Sequence, residues 1–483
     1  MQFPWTRPLL ALILRIMASP SVTVACAIVI ASLSVVPDRA AGQVTAIGLP
    51  TAETALLGRF ARGPADLPVK VGPVDFSALF SSANPAAWPA EVQARQFFAN
   101  GGAALYVVRV TGAGALADAL AGSPANLSGL HALEPLSDLR LLIAPELSLL
   151  PTGPFTNTLA TFRAFLEPRR IFFLLDPPPG LASAADAVNW VTSSVPADAA
   201  FCAAYFPYLQ VLLDGAPLTV TTSGAMAAIC ASNDVASAIW HSPAGTGLLI
   251  QAQALSPALS SSDLTLLNTY NINAIRQFVG TGIVPWGARA LDRNNSDNFY
   301  LSVNRTRSWM AASIQRALAF AAVADDVGPL WNQIRSVVGN FLNSLYQQGA
   351  FAGTTPSAAY FVRCDATTTT GADIAAHRVN LLYGVALIRA GEFDLTSLSA
   401  PTFDGTQPPP APGINLGVLP GNLVLAYPTA AGFTYLLQAT ADPQSGAWLD
   451  SGAPVSGDGA WRRPLVPISA DNALYRLQIS PGR

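Results

Sequence analysis

The chain has 483 residues, 51% of them hydrophobic and 11% charged, with 26 basic side chains against 29 acidic ones. That length corresponds to two to four domains at roughly 100–200 residues each, and so much apolar side chain excludes disorder over most of it. Lys70 is the single lysine and no basic block occurs, which argues against a nucleic-acid partner held by phosphate contacts. Cys26, Cys202, Cys230 and Cys364 are widely spaced with no CxxC pair, so neither a structural zinc site nor a dense disulfide framework is expected. Soluble monomers carry about 25% charged residues. The low charge here points to surface hidden in an assembly, in a membrane, or in both.

Residues 16–37 (IMASPSVTVACAIVIASLSVVP) are free of charge, follow Arg7 and Arg15, and are closed by Asp38 and Arg39. Such a run reads as a signal peptide, as one membrane span, or as an apolar arm that an assembly buries as a strand; a misassigned start would give the same pattern. After Gly42 the pattern becomes α/β. Pro89–Asn100 reads as a helix, started by its proline and stopped by Asn100-Gly101-Gly102. Strands are expected at 104–110, 140–144, 171–176 and 203–213, with a helix over 184–192. Strands alternating with helices predict a sheet with helical cover.

From 273 to 390 the local signals are clearest. Leu330, Ile334, Val337, Val338, Phe341, Leu342 and Leu345 form one apolar stripe at helical spacing, and Gly349 follows as a stop. Met310, Ile314, Leu318 and Ala321 form a shorter stripe before it. The two helices would cover one face of a sheet built from 300–303, 359–363 and 381–388. Asp325-Asp326 reads as an N-terminal cap of the longer helix. The stretch 401–413 (PTFDGTQPPPAPG) is a linker by its composition. Beyond it, 423–426, 434–439, 461–466 and 473–479 are short strand-like runs, which predict a small β-sandwich over 414–483. The expected organisation is therefore 1–42, 43–272, 273–400, a linker and the terminal module.

Catalytic constellations are sparse. Gly112-Ala113-Gly114-Ala115-Leu116-Ala117 follows a strand and Asp138 lies about 20 residues on, the setting of a dinucleotide fingerprint. Chance explains this match well in a Gly- and Ala-rich chain. Ser223, His241 and Asp234 could meet as a triad only by coincidence of fold, and His377 reads as a packing residue. Asp292, Asp297 and Asp365 sit in polar loops without ligand spacing. No nucleophile elbow, P-loop, HExxH or EF-hand string is present. No enzyme activity, cofactor or metal is expected. Arg289, Arg305, Arg307, Arg316 and Arg335 stand in a charge-poor region, either as solvated side chains or as partners in ion pairs between subunits.

Several strings, taken in order, resemble the tail sheath proteins of contractile phages and related injection systems. Val284–Leu291 (VPWGARAL) is similar to the family's tryptophan–glycine–arginine signature, carried by Trp286, Gly287 and Arg289. Tyr300–Thr306 with Arg305 resembles its next conserved strand. Trp331 opening the long helix, and Gly349-Ala350 closing it, resemble the following block. Ala359–Asp365 and Asn380–Phe393 resemble the closing strands, and Ser223–Ala227, Leu174–Pro178 and Gly48–Pro64 match upstream strings. The likeness covers about 43–398. It implies a multidomain α+β/α/β sheath-like fold, with a helix-covered mixed sheet in the C-terminal sheath domain and the small β module appended. It implies a structural subunit that polymerises with copies of itself around an inner tail tube protein, beside baseplate or cap proteins, within an assembled particle. Each subunit would lend a strand, placed here at Glu392, Phe393, Asp394, Leu395, Thr396, Ser397 and on to Ser399. The family's usual N-terminal arm string is absent, and residues 16–37 stand in its place. An exported or membrane-anchored binding protein reusing this fold is the alternative.

Overall fold

The computed structural model describes residues 48–402 apart from 113 and 324–326, together with 32–33, 415–419, 422–429, 433–440, 448–457, 461–467 and 474–481. The expectations for 1–42, for Asp325-Asp326 and for most of the linker fall outside these residues. The one exception is a two-residue strand, Ser32–Leu33, parallel to the end of the chain.

The first body is a six-stranded sheet. Its strands are β1 (Thr54–Gly58), β2 (Val69–Val71), β3 (Leu105–Arg109), β4 (Leu141–Ile143), β5 (Phe172–Leu174) and β6 (Cys202–Ala203), in the order β2-β3-β1-β4-β5-β6. All neighbours are parallel except β2, an antiparallel edge strand. Side chains alternate across a strand, so Ala55 and Leu57 enter one core while Leu56 enters the other. Both faces are therefore dry, which explains why these strands read as continuous apolar runs. One face is covered by α3 (Leu116–Ala121), α4 (Thr152–Leu166) and α5 (Ala184–Ser194), the other by α1 (Pro73–Phe80), α2 (Pro89–Ala99) and α6 (Ser223–Ala236). The expected helices at 89–100 and 184–192 and the strands at 104–110, 140–144 and 171–176 are all present, within two residues at either end.

The strand expected over 203–213 is broken into three. β6 ends at Ala203, β7 is Tyr205–Phe206, and β8 is Tyr208–Leu213. Pro207 cannot donate to a ladder, so the run changes partners there. β8 pairs with β9 (Ala216–Val220) in a hairpin and with β10 (Ala254–Ser256). α7 (Ser261–Thr269) carries a full capping box from Ser260 and Asp263. Then β11 (Asn273–Phe278) and β12 (Gly282–Pro285) form a second hairpin, whose first strand runs parallel to β7.

The strand expected at 300–303 is the start of a helix, α8 (Leu301–Ala317). Four residues are too few to separate period 2 from period 3.6. The longer window settles it: Leu301, Asn304, Arg305, Ser308 and Trp309 are all buried at i, i+3, i+4, i+7 and i+8. α9 (Val327–Gln347) buries all seven residues of its stripe, and Gly349 stops it with φ +81°. These two helices cover one face of a three-stranded sheet, β13 (Tyr360–Arg363), β14 (Arg378–Val385) and β15 (Asp394–Pro401), in that order. Both its ladders are antiparallel, so this sheet is not the mixed one expected; the parallel-rich mixed sheet is the six-stranded one. Alternate residues of β14, from Val379 to Val385, point into the helices together with Leu398 and Ala400 of β15.

The C-terminal stretch contains two small sheets. One holds β16 (Asn415–Leu419) and β17 (Asn422–Pro428), and the other β18 (Phe433–Thr440) and β19 (Leu474–Pro481). Leu425, Tyr427 and Val466 from the first meet Leu437, Tyr435, Leu477 and Ile479 from the second, as in a sandwich.

Candidate assembly surface

The sequence of β15 alternates, and its two faces behave accordingly. Leu398 and Ala400 are buried, whereas Leu395, Ser397, Ser399 and Pro401 are exposed, Leu395 at 64%. Its backbone alternates as well. The Thr402 amide donates to the His377 carbonyl, and the register continues from that pair without a slip. In an antiparallel ladder bonded pairs come every second residue. Residues 394, 396, 398 and 400 therefore bond to β14, and 395, 397 and 399 turn their amides and carbonyls outward. Pro401 falls on an outward position, where its missing N–H costs nothing. The Ser399 carbonyl accepts from Gln315 Nε2 at 3.1 Å. Among the described residues nothing bonds to the outward amides and carbonyls of Leu395 and Ser397, so the sheet has an open edge there, the backbone template on which another strand can add.

Besides Gln315, side chains at and before its first residue engage the same chain. The Arg307 guanidinium on α8 donates to Asp394 Oδ1 at 2.6 Å. Phe393 packs edge-on against Phe361, with centroids 5.2 Å apart. Glu392 pairs with Arg389 at 3.4 Å in the exposed turn before the strand. Glu392 and Phe393 thus precede the strand, and Asp394, Leu395, Thr396 and Ser397 form its first half. The whole of β15 pairs with β14 of the same chain.

The remaining residues singled out by sequence do not converge on one site. Trp286 is half exposed beside Phe278, its ring 4.9 Å away, with the Arg276 guanidinium over both rings. Gly287 lies against the buried Asn273, and a Cβ there would come within 2.8 Å of Asn273 Oδ1. The same Oδ1 accepts from the Arg289 amide at 2.6 Å, and Asn273 Nδ2 donates to the Arg289 carbonyl at 2.8 Å. Arg289 itself donates to the Asn268 carbonyl and lies over the Phe299 ring. Arg305 forms a two-pronged pair with Asp234 at 3.0 and 2.6 Å, buried on both sides, and also donates to the Thr51 carbonyl. Trp331 packs against the helical core, and Gly349 ends α9.

Every arginine of this cluster is engaged by groups of its own chain, although only Arg305 is fully buried. Besides Arg305 and Arg307, Arg316 pairs with Asp138 at 2.5 Å, and Arg335 donates to the Cys364 carbonyl and to Asn332. The possible triad is not assembled. Ser223 Oγ donates to Asp176 Oδ2 at 2.6 Å, and Asp234 is taken by Arg305. Asp138, the acidic residue of the possible dinucleotide fingerprint, is likewise engaged by Arg316. Among the described residues no group of three or more His, Cys, Asp or Glu is placed to hold a metal ion.

Among the buried carboxylates that sequence did not single out, two join a strand end to a helix start. Asp176, at the end of β5, accepts from the Thr222 and Ser223 amides at the start of α6. Burial pushes it up to about 6 against those hydrogen bonds. Glu146 accepts from the Arg59 and Ala90 amides, the latter at the start of α2, and burial pushes it up to about 7. Its second oxygen, Oε2, is buried with no partner. Each carboxylate ties a strand end to a helix N-terminus, a favourable place for negative charge. No spacing rule links residues 47 or 56 positions apart, so neither was visible in the sequence.

This architecture matches solved contractile sheath structures. The anti-feeding prophage helical sheath in its contracted state aligns with TM-score 0.61 and 24% identity, covering 78% of this chain and 98% of that one. The sheath complex of an extracellular contractile injection system, PVC, aligns with TM-score 0.59 and 24% identity, over 79% of this chain and 97% of that one. A sheath tail protein from Listeria innocua aligns with TM-score 0.53 and 12% identity, over 74% and 96%. No protein family description and no curated protein matches the sequence. The chain has the fold of contractile sheath proteins, as the ordered strings implied.

Proposed function

We propose that this chain is a structural subunit of a contractile sheath, of a phage tail or an injection apparatus, and that it polymerises with copies of itself around an inner tube. The observation that carries this is the open edge of β15, on a helix-backed antiparallel sheet, in a fold shared over nearly the full length of known sheath chains. Strand addition supplies backbone hydrogen bonds whatever the side chains are, which suits a lattice that must slide without coming apart. In this reading the segment from Glu392 to Ser397, seated in cis here, is exchanged between subunits, and baseplate or cap proteins engage the ends of the tube. The subunit does mechanical work through interfaces and performs no chemistry. Among the described residues no helix is long and apolar enough to cross a membrane. Of residues 16–37, the segment considered for a membrane contact, only Ser32–Leu33 are described. Electron microscopy of the purified chain tests the proposal: striated tubes or helical sheaths are expected. A chain that stays monomeric under all assembly conditions and is recovered with no particle would overturn it.

A further inference from the structure

A cavity of about 510 Å³ opens where the six-stranded sheet meets the end of α8 and the last residues of β15. Four guanidinium groups line it: Arg140, Arg169, Arg170 and Arg316. The lining carboxylate, Glu134, and Asp138 beside Arg316 are both committed. Asp138 holds Arg316 at 2.5 Å. Glu134 holds His131 at 2.7 Å and stands 3.9 Å from Arg169. Arg140 and Arg170 have no carboxylate partner among the described residues.

Arg140 is the more telling of the two. It is only 5% exposed. Two of its N–H groups donate to carbonyls of its own loop, Leu139 at 2.5 Å and Ser137 at 3.2 Å. Its Nε is buried with no acceptor at all. Arg140 and Arg170 also share the wall of a smaller adjoining hollow, so the two side chains are neighbours. Burial pulls Arg140 down to about 10, with Arg316 and Arg170 adding to the effect and Asp138 opposing it. A buried cation left with an orphan donor is costly unless an anion completes it. A guanidinium presents a planar fork that fits two oxygens of one oxoanion.

We propose that this cavity is an oxoanion site in which Arg140 and Arg170 together bind a phosphate-like or carboxylate group. It stands independently of the sheath reading, because the arginines lie within one chain and have no carboxylate partner among its described residues. The oxoanion can arrive free in solution or as an acidic side chain of a second copy.

Calorimetric titration of the full chain with inorganic phosphate, in dilute chloride buffer, separates these cases. The partner experiment uses Arg170→Asn, chosen because Arg170 has φ +59° and asparagine tolerates that conformation. Circular dichroism and a thermal melt establish that the variant is folded. Saturable binding of one phosphate per chain, weakened at least tenfold in the variant, supports the free anion. No phosphate binding, but assembly that Arg170→Asn weakens, supports the carboxylate of a second copy. The proposal is overturned if the variant binds phosphate as the wild type does, or if neither phosphate binding nor assembly responds to it.

Discussion

Arg307 on α8 and Asp394 at the first position of β15 meet at 2.6 Å, so one ion pair fastens the outer strand of the C-terminal sheet to the helix beneath it. Both side chains are about a quarter exposed, at 24% each, so solvent screens the pair. Arg307→Ala is expected to cost about 1 kcal/mol or less in global stability. Its local effect should be larger: amides 394, 396 and 398 and the β14 amides bonded to them should exchange faster, while the β14 amides that face β13 hold. Equal exchange of β15 in both proteins would show that the pair does not fasten the strand.

Ser397 turns its amide to the open edge, so replacing it with proline removes an outward donor and no bond to β14. Ser397→Pro should fold with a near-normal melting temperature and lose tube formation in electron microscopy. Normal tubes from this variant would remove the β15 edge from the assembly contact.

The Arg305–Asp234 pair joins α8 to α6 with both charges out of water, at 2% and 0% exposure. Deleting one partner leaves the other charge buried and alone. Asp234→Ala should therefore cost about 3–5 kcal/mol in denaturant unfolding. Arg305→Lys should also destabilise, since an ammonium cannot span both oxygens and reach the Thr51 carbonyl.

Gly58 ends β1 directly beneath Glu146. A Cβ there would lie 2.3 Å from Glu146 Oε2 and 2.6 Å from the Ala90 Cβ. Gly58→Ala should cost about 1–3 kcal/mol through overpacking, read as a lower denaturation midpoint. A neutral result would mean that the Glu146 loop can shift without penalty.

Glu146 and Asp176 bind protons more readily folded than unfolded, at about 7 and about 6 against 4.5 and 3.8. Between those limits the folded chain holds more protons, so their contribution is full below the unfolded values and is lost as pH rises toward 7. Asp373 acts the other way: hydrogen bonds from Thr370 hold it down at about 2, so its contribution is lost as pH falls through that value. Glu146→Gln should flatten the decline in stability between pH 5 and 8 by on the order of 2–3 kcal/mol. Parallel pH curves for the two proteins would contradict the buried-carboxylate account.

Length and pattern carried much of this architecture. The stripe from Leu330 to Leu345 runs for four turns, long enough for its period to be unambiguous, and every member is buried. Three parallel strands, at Leu105–Arg109, Leu141–Ile143 and Phe172–Leu174, announced themselves as short apolar runs because both faces are covered, whereas the central strand Thr54–Gly58 went unrecognised. Failures came where the window was too short or the partner too distant. Tyr300–Val303 looked extended over four residues, and only the next turn of α8 shows the helical spacing. Pro207 divided a run that composition alone made continuous.

The sequence by itself determined the most strongly patterned elements, their apolar faces and the ordered strings that resemble sheath proteins, because periodicity and local punctuation act within a few residues. Tertiary structure alone decided which arginine meets which carboxylate, where Glu146 and Asp176 are buried, and which side of β15 is left open. Those outcomes depend on groups brought together across tens to hundreds of residues, as Arg305 is with Asp234 and Arg316 with Asp138. Charge pairing and burial are fixed by distance in space, and no spacing along the chain encodes that distance.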